Sequence, residues 1–370
     1  MVMVLRTIPE TLLKTVFYGD VHSNWAYPDY MAYLDKTFDF LESHIKCVRP
    51  DILVNLGDNT DTFGMVDIRS LLWIKRRIHR LSDVMSSIHG DRYARHLIVK
   101  GNHDISDAEG EYSTTEMFGN DNTMVFIRPS VYYAPYTRTG KDVLGHPNAD
   151  KIIVIPYTTD YPSVMRFLSA NEVDSPDTVF ICGHLDWLGV HLTPTYVSKS
   201  GMVLSDYKKL YSKPFFSGHY HNPMDMDPLF VVGSPLYKDF SDNASIQRGF
   251  LTYEPGKIDR VHNEHTYRLI QLKIEDEAGL KAIKKIPTPE STRIKITVPS
   301  ALVEKAKKAA AKFLWKAVYP SDSDKQQVDH KVSVSITSKP MDVVSAAVGA
   351  SDETFNRETL FKYGSEAFLL

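Results

Sequence analysis

Five times along this chain a short, β-prone apolar run ends in a glycine followed at once by a carboxylate, an amide or an imidazole. The runs 14–18, 52–56, 96–100, 178–182 and 215–217 lead into Gly19-Asp20-Val21-His22, Gly57-Asp58-Asn59-Thr60-Asp61, Gly101-Asn102-His103-Asp104, Gly183-His184 and Gly218-His219-Tyr220-His221. A run such as Ile52-Leu53-Val54-Asn55-Leu56 suits a strand covered on both faces. Between the first three runs the period changes. Leu34, Phe38, Leu41 and Ile45 mark a helix over 30–48, and a second helix is read over 66–88 with Arg69, Lys75, Arg76, Arg77 and Arg80 on its wet side. Strand, polar cluster and helix in alternation read as α/β, with the chemistry gathered at the carboxyl ends of the strands. Any one of these glycines fits an ordinary turn. Five in register point instead to backbone passing close to a common centre.

Further strands are read at 151–156, 229–232 and 249–253, the last as an edge strand before the Pro255-Gly256 turn, while 106–150 is loop-rich. Near residue 260 the composition shifts. Strands at 267–274, 293–298 and 331–337 surround an amphipathic helix at 300–318, with Ser300 as N-cap and Leu302, Ala306, Ala309, Phe313 and Ala317 as its apolar stripe. The chain thus divides into a larger domain over 1–260, a small basic α/β domain over 261–340 and an aromatic tail over 341–370. From 257 to 339 there are 17 Lys/Arg against 10 Asp/Glu, which leaves about −10 for the remainder of a chain whose net charge is −3. A basic segment behind an acidic site suits a polyanionic substrate; on charge alone a solvated lysine-rich face fits as well. Cys47 and Cys182 read as buried thiols in a reducing compartment. No run approaches the roughly 18 apolar residues of a membrane span, and 1–10 lacks the core of a signal peptide, so the protein is expected to be soluble and intracellular.

The candidate ligands are Asp20, His22, Asp58, Asn102, His184, His219 and His221. Asp20 and His22 alternate as strand residues do, leaving the same face. A lone His-x-His pair such as 219/221 is a weak signal, but seven mixed oxygen and nitrogen donors exceed one tetrahedral zinc site. They suit two octahedral-leaning ions that share a carboxylate, and the absence of thiolates leans toward manganese or iron over zinc. Two ions about 3.5–4 Å apart acidify a bridging water and hold a scissile phosphate. His103 is placed for substrate rather than metal, to stabilise the phosphate and protonate the leaving oxygen, with Asp104 orienting it and Asp61 one layer further out.

The ordered set G-D-x-H, G-D-x-x-D, G-N-H-D, G-H and G-H-x-H resembles the calcineurin-like metallophosphoesterase family. That resemblance implies a four-layer β-sandwich flanked by helices, with Asp20, His22, Asp58 and His221 on one ion and Asp58, Asn102, His184 and His219 on the other. Protein Ser/Thr phosphatases carry an arginine and a glutamate where this chain has Thr62 and Asp104. Val232-Gly233-Ser234-Pro235 with Phe240 and Arg248-Gly249-Phe250 is similar instead to the segment after the last metal motif of SbcD-type DNA nucleases, and the Gly183-His184 to Gly218-His219 spacing to phage recombination endonuclease subunits. The resemblance spans about 14–253 by motif and 260–340 only by layout. It implies a manganese-dependent DNA exonuclease and endonuclease with a DNA-binding cap domain, a homodimer through the helices of 30–48 and 66–88, and an SbcC-like coiled-coil ATPase partner. The long linker and helix–loop–helix that such a partner would grip are missing, which leaves the tail over 341–370 as the candidate contact. A small-molecule or cyclic-nucleotide phosphodiesterase explains the ligands equally well but not the basic segment.

Overall fold

A computed structural model describes residues 13–61, 66–90, 94–107, 112–134, 150–193, 196–240 and 242–321. The first three apolar runs form β1 (Thr15–Tyr18), β2 (Ile52–Asn55) and β3 (His96–Val99), every residue of them buried. They pair in parallel with one another and with β4 (Thr123–Phe126). α1 (Pro28–Val48) connects β1 to β2, and α2 (Ile68–His89) connects β2 to β3. Proline in the first turn and a left-handed Arg49 bound α1. Asp67, accepting from the Arg69 amide, and left-handed Gly90 bound α2. The two helices are tied side by side, Arg77 to Asp35 and Asp39 and Arg80 to Glu42. With Arg69 held by Asp67, three of the arginines read as a wet face are therefore paired within the chain.

β5 (Ser130–Tyr133) opens a second sheet and lies antiparallel to β6 (Lys151–Ile155). After α3 (Tyr161–Ala170), β7 (Thr178–Gly183) lies parallel to β6. The short strands β8 (Trp187–Leu188), β9 (His191–Thr193), β10 (Tyr196–Val197) and β11 (Met202–Val203), followed by α4 (Leu204–Leu210), cover one end. β12 (Phe215–Ser217) joins β7 in parallel and is flanked by β14 (Leu229–Val231), with β13 (Met224–Met226) on the edge. β15 (Gly249–Glu254) returns to the first sheet, antiparallel to β1, and turns through Pro255-Gly256 into β16 (Lys257–His262). β15 is therefore an inner strand. The edge is β16, whose alternating charged residues face water.

The two six-stranded sheets, in the orders β16-β15-β1-β2-β3-β4 and β13-β14-β12-β7-β6-β5, pack face to face on Phe17, Val54, Leu97, Val154, Phe180, Cys182 and Phe216. Phe17 stacks on Phe216 at 4.3 Å between ring centres, with Phe180 edge-on to both. α1 and α2 cover the outer face of the first sheet, and α3 and α4 that of the second. The result is four layers, as the sequence leads one to expect. Cys182 is buried, its thiol pushed up by burial, whereas Cys47 is exposed, contrary to the expectation of two buried thiols.

Beyond residue 267 a three-stranded parallel sheet forms from β17 (Arg268–Lys273), β18 (Thr292–Val298) and β19 (Trp315–Pro320), with a core of its own around Ile283, Ile294, Ile296, Ala306 and Phe313. α5 (Leu280–Lys285) joins β17 to β18, and α6 (Val303–Ala309) joins β18 to β19. The helix read over 300–318 is thus cut short. Helical spacing extends through Phe313, but Trp315-Lys316-Ala317-Val318-Tyr319 is aromatic and β-branched, and pairing along β18 takes it as a strand. The strand read at 331–337 and the tail over 341–370 lie outside the described residues. Among the described residues no helix is long and apolar enough to cross a membrane.

Candidate metal centre

All five glycine-led clusters follow the carboxyl ends of parallel strands, β1, β2 and β3 of one sheet and β7 and β12 of the other, so the two sheets bring their loops to one edge of the sandwich. The loops are laced by backbone bonds. Asp20 and His22 amides donate to the Gly57 and Asp58 carbonyls at 2.9 Å, and the Gly218 amide donates to the Gly183 carbonyl at 3.0 Å. Glycine is needed because of this closeness. Gly57 adopts φ +93, and a Cβ on Gly101 would stand 2.3 Å from Asp58 Oδ1 and 2.4 Å from its amide nitrogen.

Asp20 and His22 do not continue β1. Both are left-handed, at φ 49 and 48, as are Asp58 at 53 and His219 at 81. Their side chains converge through tight turns rather than through strand alternation. All seven predicted ligands come together. Asp20, His22 and His221 present donor atoms within 4.8 Å of one another, as do Asp58, His184 and His219. Asp58 links the groups, with Oδ2 at 3.7 Å from His22 Nε2 and 3.4 Å from His184 Nε2. Asn102 Oδ1 lies 2.9 Å from both His184 Nε2 and His219 Nδ1.

The outer contacts of the rings decide which nitrogen faces inward. His184 Nδ1 donates to the Leu56 carbonyl at 2.6 Å, His219 Nε2 to Asp186 at 2.7 Å and His221 Nδ1 to Asp242 at 3.2 Å. In the neutral ring each remaining nitrogen then carries a lone pair aimed at the centre. His221 Nε2 meets His22 Nε2 at 3.1 Å, and Asp20 Oδ2 is buried with no hydrogen-bond partner. Inward lone pairs and an orphaned carboxylate oxygen are what cations would satisfy, so the residues fit a pair of divalent ions.

Electrostatics without ions show the same demand. Burial pushes Asp20 up to about 6. Asp58 is held well below the usual carboxylate range, despite burial, by His184 and His22. Burial alone would depress His184, but the Asp58 carboxylate raises it to about 9. His22 is driven well down by burial.

His103 lines the cleft beside the ligands. Its amide donates to Asp58 Oδ1 at 2.8 Å, and its ring lies edge-on to His22. Its Nδ1 meets the Asp61 carbonyl at 3.0 Å, and burial lowers its pKa. Asp104 does a different job from the one expected. Its carboxylate accepts from the amides of Asp58, Asn59 and Gly101 at 2.9–3.0 Å, so it clamps the loops of β2 and β3 rather than the His103 ring. Burial, and then Asp58, push Asp104 up to about 6. Asp61 stands behind His22, 3.6 Å from Nδ1, and pairs with Lys238 at 2.6 Å. Asp186, Asp242 and Lys238 were missed from sequence. Asp186 follows His184 by two residues and could have been found as a G-H-x-D pattern; Asp242 carries no local signal.

Beside the candidate ligands opens a cleft of about 330 Å³, lined by His22, Asp61 and His103 together with Lys238, Asp239, Phe240, Arg293 and Trp315.

Residues 13–223 match the family described as calcineurin-like phosphoesterase. Among solved structures, the chain aligns with the GAP50 anchor in the inner membrane complex of Plasmodium at 17% identity and TM-score 0.40, over 69% of this chain and 90% of that one. It aligns with a dimetal phosphatase from Danio rerio at 11% identity and TM-score 0.29, over 65% and 92% respectively. Comparison with curated proteins gives no match.

Proposed function

The chain belongs to the calcineurin-like phosphoesterase family, and from that premise we propose that it is a two-metal phosphodiesterase acting on DNA. In this reading it is the nuclease subunit of a recombination or repair complex, with exonuclease and endonuclease activity. One observation carries the proposal. Overlapping groups of candidate ligands, chained through His22 and Asp58, open on a cleft that Lys238, Phe240, Arg293 and Trp315 of β19, from the basic segment, also line.

Asp20, His22, Asp58 and His221 would hold one ion, and Asp58, Asn102, His184 and His219 the other. Bound there, the ions would polarise a phosphoryl oxygen and supply hydroxide near neutral pH, manganese being the ion the thiolate-free donor set favours. The chain's own groups do the rest. Asp186 and Asp242 orient the rings of His219 and His221. The Asp61 carbonyl holds the His103 Nδ1 proton, which assigns proton exchange with the leaving oxygen to Nε2.

The sheet β17–β19 would be the DNA-binding cap, the pair α1 and α2 the face of a homodimer, and a coiled-coil ATPase of SbcC type the partner. The size of the cleft supports a second reading, since about 330 Å³ suits a small phosphodiester as well as one unit of a polymer. Full-length protein with Mn²⁺ should shorten 5′- or 3′-labelled linear duplex DNA and should stop on adding EDTA. Turnover of bis(p-nitrophenyl) phosphate with DNA left intact would replace the nuclease reading by the small-molecule one.

A further inference from the structure

Arg293 is the odd residue of the cleft. It comes from β18, yet its side chain leaves that sheet to line the same cavity as His22 and His103. It is 7% exposed. A guanidinium has five N–H donors in a fixed fork and stays charged at any working pH. Here Nη1 reaches only the Lys238 carbonyl at 3.5 Å, and Nε has no partner. Among the described residues no carboxylate stands within ion-pairing reach of it. Its remaining company is aromatic: the guanidinium lies 4.4 Å from the Tyr267 ring centre and 5.6 Å from that of Tyr30. Cation–π contacts offset part of the desolvation but leave the donors unused. Tyr30 itself donates to the carbonyl of Val21 at 2.9 Å, between the ligands Asp20 and His22. The unpaired fork is thus held on the rim of the metal loops.

Two aromatic rings stand in the same cleft. Phe240 and Trp315 lie 5.3 Å apart at 34°, each partly exposed, and both line the cavity with Arg293. An unpaired planar cation beside a partly exposed aromatic pair matches a ligand that is anionic at one end and flat at the other. The volume admits one such unit.

We propose that this cleft is a mononucleotide subsite, in which Arg293 binds the phosphate and Trp315 with Phe240 stacks the base. The proposal rests on the phosphodiesterase reading and narrows its substrate to diesters carrying at least one nucleoside. It assigns to the small sheet a part in substrate binding at the centre itself, distinct from any general attraction of its lysines for a polyanion. Orientation follows from the chemistry. A planar fork prefers the two unbridged oxygens of a phosphate, and sequence-tolerant stacking on aromatic faces leaves the choice of base open.

The test is calorimetric binding of thymidine 5′-monophosphate and of thymidine to the full chain in EDTA, for wild type, Arg293→Gln, Arg293→Lys and Trp315→Ala. Wild type should bind the nucleotide about tenfold to a hundredfold more tightly than the nucleoside. Arg293→Gln should erase that difference while leaving the nucleoside unchanged, Arg293→Lys should restore part of it, and Trp315→Ala should weaken both ligands. Equal wild-type affinity for nucleotide and nucleoside overturns the proposal, as does an Arg293→Gln protein that melts normally and still discriminates. If Arg293→Gln does not fold, the Lys variant and the wild-type comparison decide. Nucleotide binding through Arg293 without DNA cleavage would sink the nuclease reading and keep the subsite. DNA cleavage with an indifferent Arg293 would do the reverse.

Discussion

Replacing Asp186 by Asn should weaken one ion and spare the other. The Asp186 carboxylate accepts from His219 Nε2 at 2.7 Å and from the Tyr161 hydroxyl at 3.2 Å, and the bond to His219 helps hold its pKa down against partial burial. Asparagine keeps the shape and the tyrosine contact but removes the charge that fixes the proton on Nε2 and strengthens Nδ1 as a donor to metal. A charge-assisted hydrogen bond contributes about 1.5–3 kcal/mol net, and loss of such an outer partner lowers metal affinity about 10–100-fold. His219 belongs to the group with Asn102, His184 and Asp58, while His22, Asp20 and His221 do not touch Asp186. The assay is Mn²⁺ titration into chelator-stripped protein by calorimetry. One site should weaken by about 10–100-fold and the other by less than about threefold, with metal-free stability falling by no more than about 1.5–3 kcal/mol. Equal weakening of both sites, or of neither, would refute the assignment of His219 to one ion and its control by Asp186.

Asp242→Asn should do the opposite, weakening the ion on His221, and should also cost about 1–3 kcal/mol of metal-free stability in denaturant titration, because buried Arg248 has Asp242 as its ionic partner at 3.6 Å. Gly101→Ala puts a methyl 2.3 Å from Asp58 Oδ1 and must displace that carboxylate; phosphoester hydrolysis should fall at least about 100-fold, and an active, normally melting variant would contradict the close approach. His96, buried between the Tyr18 hydroxyl at 2.9 Å and Ser82 Oγ at 2.8 Å, is held near 3 by burial. Its folded pKa is depressed, so below about 6.5 the unfolded chain takes up a proton that the folded chain refuses. Stability should therefore decline by about 1.4 kcal/mol per pH unit from that residue as pH falls from 6.5 toward 3, and His96→Gln should flatten this slope in denaturant titrations.

The convergence of the seven candidate ligands was legible because the local signal is strongest there: five of them directly follow a glycine at the end of a buried run, and His22 and His221 come two residues after Asp20 and His219. The α/β alternation was legible for the same reason, since strands such as Ile52–Asn55 are buried throughout, whereas the four layers followed from the family resemblance. What failed was long-range. Asp104 follows His103 in sequence, which invites pairing the two, yet three amides from neighbouring loops claim its carboxylate. Gly249–Glu254 precedes a Pro-Gly turn and looks like an edge, but the hairpin supplies one more strand to cover it. Around Phe313 the helical stripe and the strand propensity of Trp315–Pro320 overlap, and a parallel partner in β18 settles the contest. Arg293 and Asp242 carry no motif at all. Their meaning lies in what they face, which only the fold specifies.

The left-handed residues show why the centre needs loops rather than strand ends. Strand alternation would send Asp20 and His22 out on one face with Val21 opposed, and could not bring in donors from a second sheet about 10 Å away. Turning the backbone through positive φ at Asp20, His22, Asp58 and His219 folds four donors inward within one short stretch per strand. Each such residue costs on the order of 1 kcal/mol or more, so the turns need support that the ligands themselves do not supply. The support is visible. Asp20 and His22 amides are bound by the loop of β2, and Asp20 Oδ1 accepts from the His219 amide at 3.0 Å, joining the two sheets across the centre. Asp104, fully buried, locks the loops of β2 and β3 with one carboxylate. Asp104 is thus a positioning residue for Asp58, and Asp20 is at once a candidate ligand and a strut: one oxygen holds the sheets together, and the other is buried without a hydrogen-bond partner.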